Sequence, residues 1–382
     1  MLNIPEKTQY VINNLQNNGF EAYIVGGCVR DMLLGNLPHD FDITTSATPE
    51  EIIAIFEKTV PTGIKHGTVT VIVEKMPVEV TTFRTESSYS NHRSPDKVEF
   101  VRNLKDDLSR RDFTVNAMAY NKDGLKDYYG GKEDLENKIL RAVGKAELRF
   151  KEDALRILRL FRFASSLGFK IEENTLKCAL DELKSLEMIS VERIFQELKK
   201  AVTGQNIKAI SPLIKANGLA FLGITKEPDY EILQKLNIRE NLALFSFLYL
   251  SSLDIISVLE KLKVSNALKN YSAELLNLLS LQIPKSKADI KRNLKEREIF
   301  EDYLLILKEI FRTDTTHLEN MLEEIFEKNE PYLIKHLKID GNQLLKMGVP
   351  PQEIGEKLNH LLKLVIENPM LNTKENLILN LP

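Results

Sequence analysis

Residues 21–45, EAYIVGGCVRDMLLGNLPHDFDITT, decide how the rest of the chain reads. The apolar run from Glu21 to Val25 predicts a strand that ends on Gly26-Gly27. Cys28 to Leu34 follows as a short helix stopped by Gly35, and Asp40 to Thr45 predicts a second strand. A strand that turns through glycines into a helix lets backbone N–H groups approach a phosphate, and the helix N-terminus favours an anion. Arg30 stands one turn into that helix and can add a charge-assisted bond. A tight turn accounts for the glycine pair equally well, so Gly26 and Gly27 do not decide alone. In Asp40-Phe41-Asp42, positions i and i+2 of a strand share a face, so the two carboxylates project together. Such neighbours repel unless a cation lies between them. Hard oxygen donors in a short cluster suit Mg²⁺, which prefers few carboxylates plus phosphate oxygens. A pair of solvated acids at a strand end is the alternative reading.

Working outward, Val11, Ile12 and Leu15 give Pro5 to Asn18 a helical period that stops at Gly19. Thr48-Pro49-Glu50-Glu51 has a capping residue, proline at the first helical position and glutamate three after the cap, so a helix follows. Thr68 to Val73 and Val78 to Arg84 are β-branched runs joined across Glu74–Pro77, a hairpin pattern. Glu79 lies on its second arm. If that arm borders Asp40 to Thr45, Glu79 completes a two-metal carboxylate set; otherwise it is an ordinary exposed strand residue. Residues 85–97, TESSYSNHRSPDK, are polar and without period, which predicts a mobile loop. Beyond about residue 138 the pattern turns almost wholly helical. Ser190 caps a run through Val191, Ile194, Phe195, Leu198 and Val202, and Ile354 to Ile366 forms another that ends at Pro369. Strands followed by a long run of helices predict an α+β first domain and separate α domains.

The 382 residues, 43% apolar and 28% charged, suit a globular protein of several domains that needs no covalent staples. Two cysteines, Cys28 and Cys178, argue against a disulfide framework or a cysteine zinc cluster and fit a reducing cytosol. No apolar run approaches the roughly 20 residues that span a bilayer, and MLNIPEKTQY lacks the pattern of a signal peptide. The net charge of −3 gives no global pull on nucleic acid, so any polyanion site must be local. His39 precedes Asp40, but a lone loop histidine reads as surface, and no histidine spacing reads as a metal site.

Glu152 to Ala164, EDALRILRLFRFA, repeats Asp153, Arg156, Arg159 and Arg162 every three residues. On one helix these form a slanted polar stripe among leucines and phenylalanines. Three arginines on a mostly buried helix need partners, either a bound anion or a structural network with local acids.

GGCVRDMLLG at 26–35, Asp40-Phe41-Asp42, RRDFTVNAMA at 110–119, Glu152-Asp153-Ala154-Leu155-Arg156 and the segment from Glu192-Arg193 to Glu197-Leu198 together resemble the class II tRNA nucleotidyltransferase and poly(A) polymerase family. The ending, from Ile339-Asp340-Gly341 through Pro350-Pro351, is similar to the bacterial CCA-adding branch. The resemblance spans nearly the whole chain. It implies a polymerase-β-like nucleotidyltransferase head at 1–137, a helical neck at 138–204 that selects the base, and a helical body at 205–290 and tail at 291–382 that bind tRNA. It also implies untemplated transfer of CMP and AMP, from CTP and ATP, to a tRNA 3′ end, with Mg²⁺ held by Asp40 and Asp42, Glu79 as third carboxylate, and no obligatory protein partner. The family gives base selection to the positions of Asp153 and Arg156. Their chemistry agrees: cytosine and adenine share an amino donor beside a ring-nitrogen acceptor, and uracil and guanine reverse it. An ionised Asp153 only accepts and Arg156 only donates. Arg159 and Arg162 then face phosphate or ribose, or brace Asp153. Arg111 joins the nucleotide pocket, and Asp112 and Asn116 its framework or sugar contact.

Tyr89, Arg93, Pro95, Val98 and Phe100 stand in a loop of full family length, which favours complete CCA addition over CC addition alone. An A-adding or poly(A)-adding enzyme on the same fold is the nearest rival. A non-catalytic nucleotide-binding RNA chaperone is the rival of another class, and the intact Asp40, Asp42 and Glu79 argue against it. The long helical C-terminal half disfavours a small-molecule nucleotidyltransferase.

Overall fold

The computed structural model describes residues 2–38, 40–87 and 97–382. His39, Tyr89, Arg93 and Pro95 lie outside the described residues. The chain divides into two compact units, Met1–Tyr230 with Leu248–Lys263, and Glu231–Phe247 with Val264–Pro382.

The first unit opens with α1 (Glu6–Asn17), β1 (Ala22–Val25), α2 (Gly27–Leu33), β2 (Ile43–Thr45) and α3 (Pro49–Ile55). Thr8, Val11, Ile12 and Leu15 form the buried face of α1. The reciprocal cap of α3 forms as its sequence requires: Glu51 N donates to Thr48 Oγ1 at 3.4 Å and Thr48 N to Glu51 Oε2 at 2.7 Å. Strands β3 (Thr59–Gly63), β4 (Thr68–Val73) and β5 (Met76–Thr82) follow. The β4–β5 turn is tighter than its sequence suggests. Val73 faces Met76, so Glu74 and Lys75 alone make the reversal, with φ of 48° and 69°. Positive φ at both central residues suits the twist of a two-residue hairpin.

β6 (Arg84–Ser87) and β7 (Lys97–Phe100) correct the expectation of a loop at 85–87 and at 97, and the rest of that stretch lies outside the described residues. Thr85 faces Glu99 and Ser87 faces Lys97. This ribbon is a separate two-stranded sheet whose first arm, Arg84–Ser87, is wholly polar, so only Val98 and Phe100 on the second arm alternate. Next come α4 (Leu104–Ser109), a 3₁₀ turn at Thr114–Asn116, β8 (Met118–Asn121), β9 (Gly124–Asp127) and α5 (Gly131–Glu136). The main sheet has the order β3-β4-β5-β2-β1-β8-β9. Every residue of the interior strand β1 is buried, which explains its unbroken apolar run. Tyr23, Val25, Phe83, Leu104, Leu108, Ala117, Ala119 and Val143 pack together as one core.

Helices dominate from there, with one exception to the helical expectation: β10 (Ile139–Leu140) pairs in parallel with β11 (Lys170–Ile171). Between them run α6 (Ala146–Glu152) and α7 (Leu155–Leu167), followed by α8 (Glu173–Asp181) and α9 (Val191–Val202). Ser190 occupies the cap position of α9, but its side chain makes no capping bond.

In the second unit, Leu337, Ile339, Leu344, Leu358, Leu361, Val365 and Leu377 build a core around the helix Ile354–Glu367. Two buried polar knots add to it. Lys291 donates to Glu330 at 2.9 Å, and Asp302 accepts from Tyr271 Oη at 2.6 Å and from Arg239 Nε at 2.9 Å. Among the described residues, no helix is long and apolar enough to cross a membrane.

Candidate active site

The carboxylates come first. Strand β2 begins at Ile43, so Asp40 and Asp42 precede it rather than lie within it. Aspartate is a poor strand former. The ladder nevertheless reaches Asp42, whose carbonyl accepts from Val25 N at 3.0 Å. Both acids are exposed. The Asp42 carboxyl lies above its usual range because surrounding protein removes it from water and Asp40 repels its charge, against the pull of Arg111. β5 lies beside β2 in parallel, pairing Ile43 with Val80. Glu79 therefore precedes Val80 as Asp42 precedes Ile43, on the neighbouring strand. Among the described residues, no group of three or more Asp, Glu, His or Cys side chains converges as a cation cage. Two exposed, mutually repelling carboxylates with hard oxygen donors fit a Mg²⁺ that takes its remaining ligands from water and phosphate.

The glycine turn is next. Gly26 has φ of 81°, which disfavours any other residue, and a Cβ there would lie 3.0 Å from Arg111 Nη1. The turn thus lets a guanidinium approach the backbone where α2 starts. Gly27 is the first residue of α2. Arg30, buried on the same helix, donates from Nη1 to Asn116 Oδ1 at 2.6 Å and from Nε to Asp31 at 2.8 Å. Asn116 in turn donates to Asp112 Oδ1 at 3.1 Å.

Asp112 is the centre of this buried network. Its Oδ1 also accepts from Phe113 N at 2.8 Å. Its Oδ2 accepts from Arg159 Nε at 2.8 Å and Nη2 at 2.6 Å. Burial favours the neutral acid, but the Arg159 charge and these hydrogen bonds prevail and hold the carboxyl down at about 2. Arg159 therefore braces Asp112, not Asp153. Arg162 pairs with Glu197 at 3.0 Å and lies over the Phe163 ring, 3.9 Å from its centroid.

Residues 152–164 do not form one continuous helix. α6 ends at Glu152 and α7 starts at Leu155, with Asp153 between them in extended backbone. The reason is local: the Asp153 carboxylate accepts from Leu155 N at 3.0 Å, a bond that competes with helical continuation. The three-residue spacing of Arg156, Arg159 and Arg162 holds on α7, and Asp153 leaves the stripe. Its Oδ2 accepts from Arg193 Nη2 at 3.2 Å. Arg156 is buried and does not bond the Asp153 side chain. It donates to Arg149 O at 3.0 Å, Glu152 Oε2 at 2.5 Å and Arg110 O at 2.8 Å. Three of the five donors of a guanidinium are so engaged, which leaves two.

Arg110, Arg111, Asp112, Asp153, Leu155, Arg156, Arg159 and Arg193 line one cleft of about 250 Å³. Arg30 and Arg162 line a different one of about 290 Å³, with Phe163 and Lys200. The lining of the first cleft does not include Gly26, Gly27, Asn116, Asp40, Asp42 or Glu79. Arg111 links the two groups: it adjoins Gly26, attracts Asp42 and lines the cleft of Asp153. Sequence reading assigned no part to Asp107, Arg110, Glu152 or Arg193. Asp107 had a usable signal, since it precedes Arg110 and Arg111 by three and four residues at a helix end.

Comparison with known proteins finds relatives over nearly the whole chain. Residues 22–141 match the family model of the poly A polymerase head domain, and 237–381 match that of tRNA nucleotidyltransferase domain 2. The chain is 40% identical to a CCA-adding enzyme of Ligilactobacillus salivarius over 99% of its own length and 97% of the relative's. It superposes on the Bacillus stearothermophilus CCA-adding enzyme in complex with CTP with a TM-score of 0.76 and 30% identity, covering 97% of this chain and 94% of that one. The Thermotoga maritima CCA-adding enzyme complexed with tRNA shares the fold, with a TM-score of 0.67 and 24% identity over 98% and 95% of the two chains.

Proposed function

Since the chain belongs to the CCA-adding enzyme family, we propose that it adds CMP, CMP and AMP from CTP and ATP to the 3′ end of tRNA, untemplated, on the site just described. One observation supports the reading best. A carboxylate acceptor, Asp153, and a guanidinium with free donors, Arg156, line a single cleft that Arg111 connects to Asp42. Asp153 accepts from the exocyclic amino group of cytosine or adenine, and Arg156 donates to the adjoining ring nitrogen. Uracil and guanine would set acceptor against acceptor and donor against donor, leaving buried polar groups unpaired.

Arg111 draws the triphosphate toward the Gly26-Gly27 turn, and the start of α2 adds backbone N–H groups. Asp40 and Asp42 would hold Mg²⁺ in a two-metal nucleotidyl transfer, with Glu79 on the adjacent strand as third carboxylate. A metal held there would supply Lewis acidity, easing deprotonation of the tRNA 3′-hydroxyl and offsetting charge on the departing pyrophosphate. Asp112 fixes Arg159 and Asn116, and through Asn116 it fixes Arg30, so the cleft keeps its shape when a nucleotide leaves. We assign catalysis to 1–137, base choice to 138–204, and tRNA holding to 205–290 and 291–382, through backbone and shape, because every tRNA must be accepted. We place the protein in the cytosol, in keeping with two cysteines that form no disulfide.

The test supplies tRNAs ending before C74, after C74 and after C75 with CTP or ATP separately. CMP enters the first two and AMP the third. Incorporation of AMP alone would assign the chain to A addition. Asp153→Ala lowers the rate and the preference for CTP over UTP, and an unchanged CTP to UTP ratio places base reading elsewhere.

A further inference from the structure

Asp107 has no solvent exposure, and its carboxylate is shared among several parts of the fold. Oδ1 accepts from Arg110 Nε at 3.1 Å and Nη2 at 2.9 Å, and from the backbone N of Arg84, at the start of β6, at 3.2 Å. Oδ2 accepts from Thr44 Oγ1 at 3.2 Å and lies 3.6 Å from Arg111 Nη2. Thr44 stands on β2, two residues beyond Asp42. A buried carboxylate is costly to keep charged unless it is paired and hydrogen-bonded throughout. Here each oxygen has a guanidinium and one further donor.

Arg110 is held by two hydrogen bonds, and Arg111 by charge at 3.6 Å. Arg111 Nε is buried without a hydrogen-bond partner. Among the described residues, Asp107 is its ion-pair partner. On the opposite side Gly26 leaves room for it, since a Cβ there would approach to 3.0 Å. The guanidinium is thus set between the glycine turn and Asp107. We propose that Asp107 is a positioning residue: it holds Arg111 against the Gly26 turn and, through Thr44, registers it to the strand that follows Asp42. The cation that meets the nucleotide phosphates and the carboxylates of the metal site then keep one spacing. This inference rests on the assignment of Arg111 to the triphosphate.

A double-mutant cycle tests it on the full-length protein, with KM and kcat for CTP on tRNA ending before C74 and for ATP on tRNA ending after C75. Arg111→Gln and Asp107→Asn each raise the KM for both nucleotides about tenfold, and the double variant stays within about twofold of Arg111→Gln alone. The KM for tRNA changes less than about twofold in all three. Effects that multiply in the double variant, or an Asp107→Asn that weakens tRNA and nucleotide alike, overturn the proposal and leave Asp107 a structural ion pair. An Arg111→Gln with unchanged nucleotide KM, in an assay where the wild type completes CCA, overturns the assignment of Arg111 and the inference with it. Where Asp107→Asn shows no cooperative thermal transition, Thr44→Val replaces it in the cycle, since that change removes only the hydroxyl, whose proton lies within reach of Asp107 Oδ2 at 3.2 Å and Thr81 O at 3.3 Å. Its expected KM rise of about threefold disappears in the Arg111→Gln background. A rise that persists there refutes the positioning role.

Discussion

Asp112→Asn isolates the electrostatic cost of the site's framework. The wild-type carboxylate receives two bonds from Arg159, one from Asn116 and one from Phe113 N. Its pKa falls from 3.8 to about 2. At about 1.4 kcal/mol per unit, the ionised state contributes about 2 kcal/mol to folding. The amide keeps an acceptor for Phe113 N and Asn116 but turns an N–H group toward Arg159, or it flips to serve Arg159 and gives up both of the others. An unpaired buried guanidinium adds to the loss, so at pH 7 the variant is less stable by about 2–4 kcal/mol. The pH dependence identifies the cause. A depressed folded pKa stabilises above the unfolded value and loses that contribution as pH falls through the folded one. The difference between wild type and variant is therefore full at pH 6 and falls by about half near pH 3. Urea unfolding of both proteins between pH 7 and pH 3, followed by far-UV circular dichroism, measures it. A difference that stays constant over this range would show that shape, not charge, makes Asp112 necessary.

Two further expectations follow from the geometry. Asp40→Ala or Asp42→Ala abolishes incorporation of both CMP and AMP, as does chelation of divalent metal, while a filter-binding measurement finds tRNA affinity within about twofold of wild type; substantial activity of either variant in Mg²⁺ refutes the metal assignment. Thr48→Ala breaks the reciprocal cap of α3 and costs about 1 kcal/mol, read as a lower urea midpoint with kcat and KM unchanged; an altered KM for nucleotide would connect α3 to the site.

What the sequence disclosed was mostly local. The α3 cap is written in four adjacent residues and forms as written. The strand, glycine turn and helix at 22–33 are equally self-contained, because buried β1 and a positive-φ glycine leave few alternatives. Errors arose where a side chain chose between two local partners. Asp153 could continue a helix or bond the N–H two residues on, and it does the latter. Glu74 and Lys75 adopt a left-handed turn that glycine or asparagine would have announced. The β6 arm of the ribbon is wholly polar, and the alternation of Val98 and Phe100 on β7 spans only four residues, too short to announce a strand. The burial of Asp107 is a tertiary fact. Its partners come from positions 44, 84, 110 and 111, and only the last two are near enough in sequence to suggest one another.

Among the pairings of the seven-stranded sheet, that of β2 with β5 is parallel, and it joins residues 37 positions apart, Ile43 to Val80. A parallel neighbour cannot be supplied by a hairpin; the chain must first build everything between. The edge of β2 that faces β5 is therefore among the late contacts of the head, and loop closure makes it slower than the hairpins around it. A nascent chain that has emerged only as far as Lys75 carries Asp40 and Asp42 with β1 on one side of β2 and no β5 on the other. Docking of β5 gives β2 its second neighbour, and the sheet is complete only once β8 has paired with β1, which brings Ile24 to Tyr120. A chain that has not yet emerged past Arg156 holds the acidic pair but lacks the cleft that Asp153 and Arg156 line.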